Sequence, residues 1–199
     1  MTEQKSRPCR IAVVLMASGF GKRYGGNKLL EEFRGKPLFV HALRRAEESG
    51  ADSICVVTRF PEIRDYAEPE RQVIWNAHPE KGISESLRLG LAAQREADGC
   101  CFMVCDQPLL SVRTLQRMFV AFRRRPDAIC VCSDGHRRGN PVLFPSDLFG
   151  ELLKLTGDSG GRQLLRKYPQ RVREILVERP EELYDIDSAR DLERLLHTF

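Results

Sequence analysis

No apolar run in this chain approaches the roughly 20 residues that a membrane-spanning helix needs, and the polar start from Met1 to Arg10 lacks the apolar stretch of a signal peptide. Aromatic residues are scarce, at 8% with one tryptophan, and are not interleaved with cations as on a surface that stacks single-stranded nucleic acid. The formal net charge of +4 is modest. Its densest basic run, Arg123-Arg124-Arg125, ends a helix-like segment before Pro126, where cations suit the negative end of the helix dipole. These absences predict an unsecreted, cytoplasmic protein with neither membrane nor nucleic acid as partner. Linkers rich in Gly, Pro or Ser and internal repeats are also missing, so residues 1–199 read as one domain. There is no HExxH pair, and His41, His78, His136 and His197 are scattered, so serine-hydrolase and zinc-protease chemistry have no support.

Cysteine is present, but in an odd set of seven, several of them inside apolar runs such as SICVV and CCFMVC. They read as small buried hydrophobes rather than a disulfide scaffold. Cys130 and Cys132 alternate in a strand-like stretch with no complementary His or Cys cluster for zinc.

What is there is an alternation. The apolar runs IAVVLM (11–16), SICVVT (53–58), QVIW (72–75), CCFMVC (100–105) and AICVCS (128–133) read as buried strands, and 38–49, 84–96, 111–124 and 146–154 between or after them as amphipathic helices. GNPVLFP and VREILVE add later strands, and 160–167 and 188–197 later helices. The pattern predicts a single-domain α/β fold, Rossmann-like and doubly wound, with a mixed, mostly parallel sheet and helices on both faces. Sheets of this kind bind ligands at the carboxyl ends of their strands.

Two polar motifs sit at such ends. After IAVVLM comes Ala17-Ser18-Gly19-Phe20-Gly21-Lys22-Arg23-Tyr24-Gly25-Gly26-Asn27-Lys28, whose glycines let backbone amides approach a polyphosphate while Arg23 and Lys28 supply neutralising charge. It fits neither GxxxxGK[ST] nor GxGxxG, and a basic loop without a ligand remains the plain alternative. After CCFMVC comes Asp106-Gln107-Pro108-Leu109-Leu110, which sets a carboxylate where magnesium would be held with phosphates and water. Asp106 could instead cap the following helix, although Ser111 is better placed for that. Near the end, Asp185 and Asp187 flank Ile186 and could complete a magnesium site or merely face the start of the last helix, which Ser188 can cap.

The segment LMASGFGKRYGGNKLL resembles the LAAGxGxRxGxxK signature of the molybdenum cofactor cytidylyltransferases and, more broadly, of nucleotidyltransferases with a nucleotide-diphospho-sugar transferase-like fold. DQPL at 106–109, DIDS followed by ARDL at 185–192, the N…G…S pattern of Asn76, Gly82 and Ser86, and GNPVLF with GDSGGR resemble that family's further motifs in its order. The resemblance implies that Leu15, Ala17, Ser18, Gly19 and Gly21 grip the nucleotide with Asn76, Gly82 and Ser86, and that Arg23 and Lys28 bind its phosphates. It implies Asp106 and Asp187 as magnesium ligands, with Asp185 as the alternative to Asp187. Arg23, Lys28 and Asp106 are then the catalytic set, and Gln107, Pro141, Asp158, Gly160 and Arg162 the acceptor side. Ser84 and Ser86 could equally cap a helix. Met16 and Ser18 depart from the family's small alanines, and with Gln107 Ser18 is where base and acceptor choice would be sought.

The implied reaction is transfer of CMP from CTP to the terminal phosphate of the molybdopterin form of the cofactor, with release of pyrophosphate and a molybdoenzyme as recipient. Alternatives on the same fold are use of GTP or another NTP, or of a sugar- or polyol-phosphate acceptor. A non-catalytic carrier of the pterin cofactor is the alternative from another class.

Overall fold

The computed structural model describes residues 7–19, 24, 26–68 and 71–198. In chain order the elements are β1 (Ile11–Ala17), β2 (Glu32–Phe33), β3 (Lys36–Pro37), α1 (Leu38–Glu48), β4 (Ser53–Thr58), α2 (Pro61–Ala67), β5 (Gln72–Trp75), α3 (Ile83–Ala93) and β6 (Gly99–Val104). There follow α4 (Val112–Arg124), β7 (Ile129–Ser133), β8 (Arg138–Pro145), α5 (Phe149–Leu152), α6 (Arg162–Lys167), β9 (Val172–Leu176) and α7 (Ala189–Thr198). No helix among the described residues is long and apolar enough to cross a membrane.

Seven strands form one sheet in the order β5-β4-β1-β6-β8-β7-β9. All neighbours are parallel except β8, which runs antiparallel to both β6 and β7. This is a single α/β unit with a mostly parallel central sheet, as the alternation of runs predicts. Strands β1, β4, β6 and β7 are apolar on both faces because both faces are covered. Ile11, Val13 and Leu15 of β1 pack with α1, α2 and α4, while Ala12 and Val14 pack with α3, α5 and α6. A third, smaller cluster joins Phe33 and Leu38, from the β2–β3 hairpin and α1, to Leu109, Ile186, Leu192 and Leu195.

All seven cysteines are free, six of them buried. Burial pushes the thiols of Cys55 and Cys130 up to about 11, so they sit in the core as neutral, apolar groups rather than as thiolate ligands. Two predicted helices change form: 146–154 is a short 3-10 turn, Ser146–Leu148, followed by the one-turn α5, and α6 begins at Arg162 after a turn rather than at 160. The hairpin β2–β3 and α2 have no counterpart in the apolar pattern. Each is too short to show a period, although Pro61 at the first helical position and Glu62 beside it mark a helix start. Ser111 caps α4, its hydroxyl accepting the Thr114 N–H at 3.1 Å, which leaves Asp106 free of that task.

Helix α3 lies close on β1: a Cβ on Gly90 would collide with the Val14 side chain. On helix propensity alone Gly90→Ala would stabilise by about 1 kcal/mol, but overpacking against a buried β-branched side chain outweighs it. A net loss of about 1–2 kcal/mol is expected, read as a lower urea midpoint at unchanged m. A gain in stability would show that α3 stands off β1.

Candidate active site

From β1 the chain winds outward through β4 to β5, then returns to place β6 on the other side of β1. Strand order therefore reverses at the β1–β6 pair, and a crevice opens beyond their carboxyl ends. The loop after β1 and the loop after β6 meet there for this topological reason.

Lys28 projects from a 3-10 turn, Lys28–Leu30, that Asn27 caps by accepting the Leu29 N–H. All three ammonium hydrogens are used. They go to Asp106 Oδ2 at 2.6 Å, the Ile186 carbonyl at 2.7 Å and Asp187 Oδ1 at 3.1 Å. Burial alone would lower the Lys28 pKa, but Asp106 and then Asp187 outweigh it and hold the ammonium above the ordinary lysine range. The pairing thus contributes fully at neutral pH and is lost only as pH rises through that raised value.

Among the described residues Lys28 pairs with both carboxylates, yet Asp106 Oδ1 is buried without a hydrogen-bond partner. A carboxylate oxygen in that condition is costly unless a cation or donor reaches it. The donor set, two hard oxygen ligands, fits magnesium or manganese. Among the described residues no three His, Cys, Asp or Glu side chains gather to cage a metal, so water and phosphate oxygens would complete the shell. Asp187 shares a cavity wall with Asp106 and Asp185 does not. Asp185 instead accepts from Gln107 Nε2 at 2.9 Å, and burial, then the charge of Asp106, raises its pKa.

That cavity, of about 370 Å³, is walled by Ser18, Gly19, Lys28, Pro79, Gly82, Ser86, Asp106 and Asp187, with Met16, Ile83 and Asp158 at one side. Lys28 is the one cation among the described residues of its wall. Leu15 and Ala17 lie in β1 as core residues beside the cavity, not in its wall. Gly21 and Arg23 lie outside the described residues. Ser18 has its hydroxyl spent on the Val57 carbonyl at 3.1 Å, and Gln107 has its amide spent on Asp185. The two residues marked for base and acceptor choice are therefore tied into the protein, because each meets an acceptor at hydrogen-bond distance from a neighbouring segment. Asn76 is likewise buried and outside the wall: its amide donates to Ser86 Oγ and its carbonyl accepts the His78 N–H, so it holds Ser86 in place. Ser84 is not the cap of α3; Gly82 occupies that position at φ +82°. A Cβ there would meet the Gly157 backbone at 2.5 Å and Asp158 Oδ1 at 2.6 Å, so only glycine permits this contact.

Behind Gly82 lies a second cavity of about 380 Å³ that shares Met16, Ile83 and Asp158 with the first. Its floor includes Phe102, Val131 and Phe144, and its rim carries Arg138, Asn140, Gly160, Arg162 and Arg166. Pro141 is buried in β8 and Gln107 stands elsewhere, so of the predicted acceptor residues Asp158, Gly160 and Arg162 line this cavity and the other two do not. Arg138, Asn140 and Arg166 went unread in the sequence. The four-residue spacing of Arg162 and Arg166 on one helix is the signal that would have found the second. No histidine lines either cavity.

A family model for the MobA-like NTP transferase domain matches residues 13–172. The chain is 30% identical to purine catabolism protein PucB of Bacillus subtilis over 89% of this chain and 92% of that protein. It is 31% identical to nicotine blue oxidoreductase of Paenarthrobacter nicotinovorans, over 95% and 97%. With a molybdenum cofactor guanylyltransferase of Shewanella putrefaciens it shares 28% identity over 81% and 82%. Among solved structures, Rv0371c of Mycobacterium tuberculosis superposes with a TM-score of 0.83 at 28% identity, covering 96% of this chain and all of that one. The same protein solved as a complex with manganese gives 0.79.

The raised pKa of Asp185 yields a signed prediction. Its folded-state pKa lies above the unfolded value, so its charge costs stability at neutral pH, a cost relieved as pH falls through the folded value. Asp185→Asn, whose carbonyl still accepts from Gln107, should raise the thermal midpoint at pH 7. The gain should vanish toward about pH 4 and below, where unfolded aspartate also takes up its proton. A gain that persists in acid would exclude ionisation as its cause.

Proposed function

We propose that this chain, which belongs to the family of MobA-like NTP transferase domains, transfers CMP from CTP to the terminal phosphate of a molybdopterin-type cofactor with magnesium as its metal. Membership makes it an enzyme of the nucleotidyltransferase type. The observation that carries the finer reading is the pairing of Asp106 and Asp187 around Lys28, with Asp106 Oδ1 buried and unsatisfied at the mouth of a nucleotide-sized cavity.

The reaction asks for position and charge more than for covalent chemistry. A phosphate oxygen of the acceptor attacks the α-phosphorus of the triphosphate, and the bond from that phosphorus to the bridging oxygen breaks. Its electron pair leaves with pyrophosphate. Lys28 supplies a fixed positive charge to the phosphates, with Arg23 alongside it by the signature of the loop. Asp106 and Asp187 would hold the magnesium, which when bound neutralises phosphate oxygens and polarises the reacting phosphorus. Ser86, kept in place by Asn76, and the amide-rich turn at Gly82 face the nucleoside side. On the acceptor side, the apolar floor of Phe102, Val131 and Phe144 beneath Arg138, Arg162 and Arg166 suits a flat ring system that ends in phosphate. Met16, Ile83 and Asp158 stand where the two cavities meet, so the two substrates would face each other there.

Support for the acceptor comes from the relatives named molybdenum cofactor guanylyltransferases, and support for a divalent cation from the manganese complex of Rv0371C. The same guanylyltransferases favour GTP as the second reading of the base. CTP is preferred because the loop after β1 and the DIDS segment resemble the cytidylyl-transferring members.

Turnover with isolated molybdenum cofactor, magnesium and each of the four ribonucleoside triphosphates, followed by pyrophosphate release and the mass of the pterin product, tests this directly. Cytidylylated pterin formed with CTP alone is the expected result. Product with GTP alone would replace the base assignment, and no product from folded protein would favour a carrier. Asp106→Ala should cost roughly a hundredfold or more in turnover with an unchanged circular dichroism spectrum. Near-normal activity would remove Asp106 from the metal site.

A further inference from the structure

Glu182 is a charged residue with 1% exposure. Each of its carboxylate oxygens accepts two hydrogen bonds. Oε2 accepts from the Ser111 N–H at 3.0 Å and the Thr114 hydroxyl at 2.7 Å. Oε1 accepts from the N–H groups of Glu178 at 3.0 Å and Arg179 at 3.3 Å. A buried carboxylate costs several kcal/mol unless its lone pairs are satisfied in this way.

The partners matter more than the burial. Ser111 is the cap of α4, and the N–H it offers is the one that a glutamate three residues into the helix accepts in a capping box. Here that third helical position is Thr114, and Glu182 supplies the acceptor from 71 residues away. The loop leading into Ser111 carries Asp106, and the segment leaving Glu182 carries Asp185 and Asp187. These two acidic stretches run past each other with further links in step. Gln107 donates to Asp185 at 2.9 Å, and the Ile186 N–H donates to the Asp106 carbonyl at 2.9 Å. Lys28 closes the end nearest the cavity, and Glu182 closes the other.

We propose that Glu182 is a positioning residue for nucleotidyl transfer: by anchoring the 178–183 turn to the start of α4 it sets where Asp187 stands relative to Asp106. The proposal rests on the reading of Asp106 and Asp187 as the metal carboxylates. Three carboxylates, at 106, 185 and 187, repel one another across this ladder, and a segment with one anchor released would swing to separate them. The loss should therefore appear in the response to metal and not in the binding of nucleotide.

Glu182→Gln tests this, because it preserves size but turns an amide N–H toward two donors. The magnesium concentration for half-activation of turnover should rise about tenfold or more, the scale seen when a residue that orients a metal ligand is removed. The KM for the triphosphate at saturating magnesium should change less than about twofold. Manganese alone, titrated by electron paramagnetic resonance, should show the same weakening. Thr114→Val removes one of the four donors and should shift half-activation by about threefold; it carries the test if Glu182→Gln does not fold. Phe122→Leu, a core change in α4 remote from both acidic segments, lowers stability and should leave half-activation where it is. Folded Glu182→Gln with wild-type half-activation would overturn the proposal. So would an equal shift in Phe122→Leu, since instability alone would then explain the effect. Asp106→Asn in the same assay separates the two levels of the argument. If Asp106→Asn abolishes metal-dependent turnover while Glu182→Gln matches wild type, only the positioning role falls; if Asp106→Asn retains full metal activation, the metal reading falls and this proposal with it.

Discussion

Asp106 and Asp187 come from segments 81 residues apart in sequence, yet both accept from the ammonium of Lys28, a third site 78 residues from the first. Like charges held so closely repel, and the arrangement persists because other forces put them there. The β1–β6 pairing brings the two loops together, and the small core of Phe33, Leu109, Ile186 and Leu195 seats the C-terminal segment over them. Lys28 then offsets part of the repulsion, and its pKa rises because both carboxylates favour its charged form. The unsatisfied Asp106 Oδ1 is the atom on which the proposal of a divalent cation rests.

The rest of the site follows from how closely the backbone segments approach. Gly82 lets the turn at Gly157 and Asp158 lie directly on the start of α3, where the Ser84 N–H donates to the Gly157 carbonyl at 3.1 Å. That contact stands between two cavities of similar size, one with Asp106 and Asp187 in its wall, the other apolar in its floor and cationic at its rim. Two substrates held in adjoining cavities react without first losing the freedom to meet, which is a large part of what a transferase supplies.

Much of this could be read in the residue order. The runs IAVVLM and CCFMVC announce buried strands because both of their faces are apolar, and the polar residues just after each could only lie at a carboxyl edge. The positions of Lys28 and Asp106 were legible for that reason, and Asp187 through the resemblance of DIDS to the family motif. For Ser18, Gln107, Asn76 and Pro141 the motif gives only the neighbourhood: whether a side chain faces a ligand or a neighbouring carbonyl depends on which segments pack beside it. Ser18 finds Val57, Gln107 finds Asp185, and Pro141 is buried in β8. Arg138 was missed because a single exposed arginine in a chain with 32 lysines and arginines carries no local mark of a binding rim.

By itself the sequence determined the α/β class, the family of its motifs and the residue types proposed for phosphate and metal chemistry, since these depend on local periodicity and on short-range patterns. Only the tertiary structure decided that β8 runs antiparallel, that Asp187 and not Asp185 shares a wall with Asp106, and that Glu182 bonds across to Ser111. Each of those is a choice among partners distant in the chain. Such choices are made by which cores must close and which buried polar groups must be satisfied together.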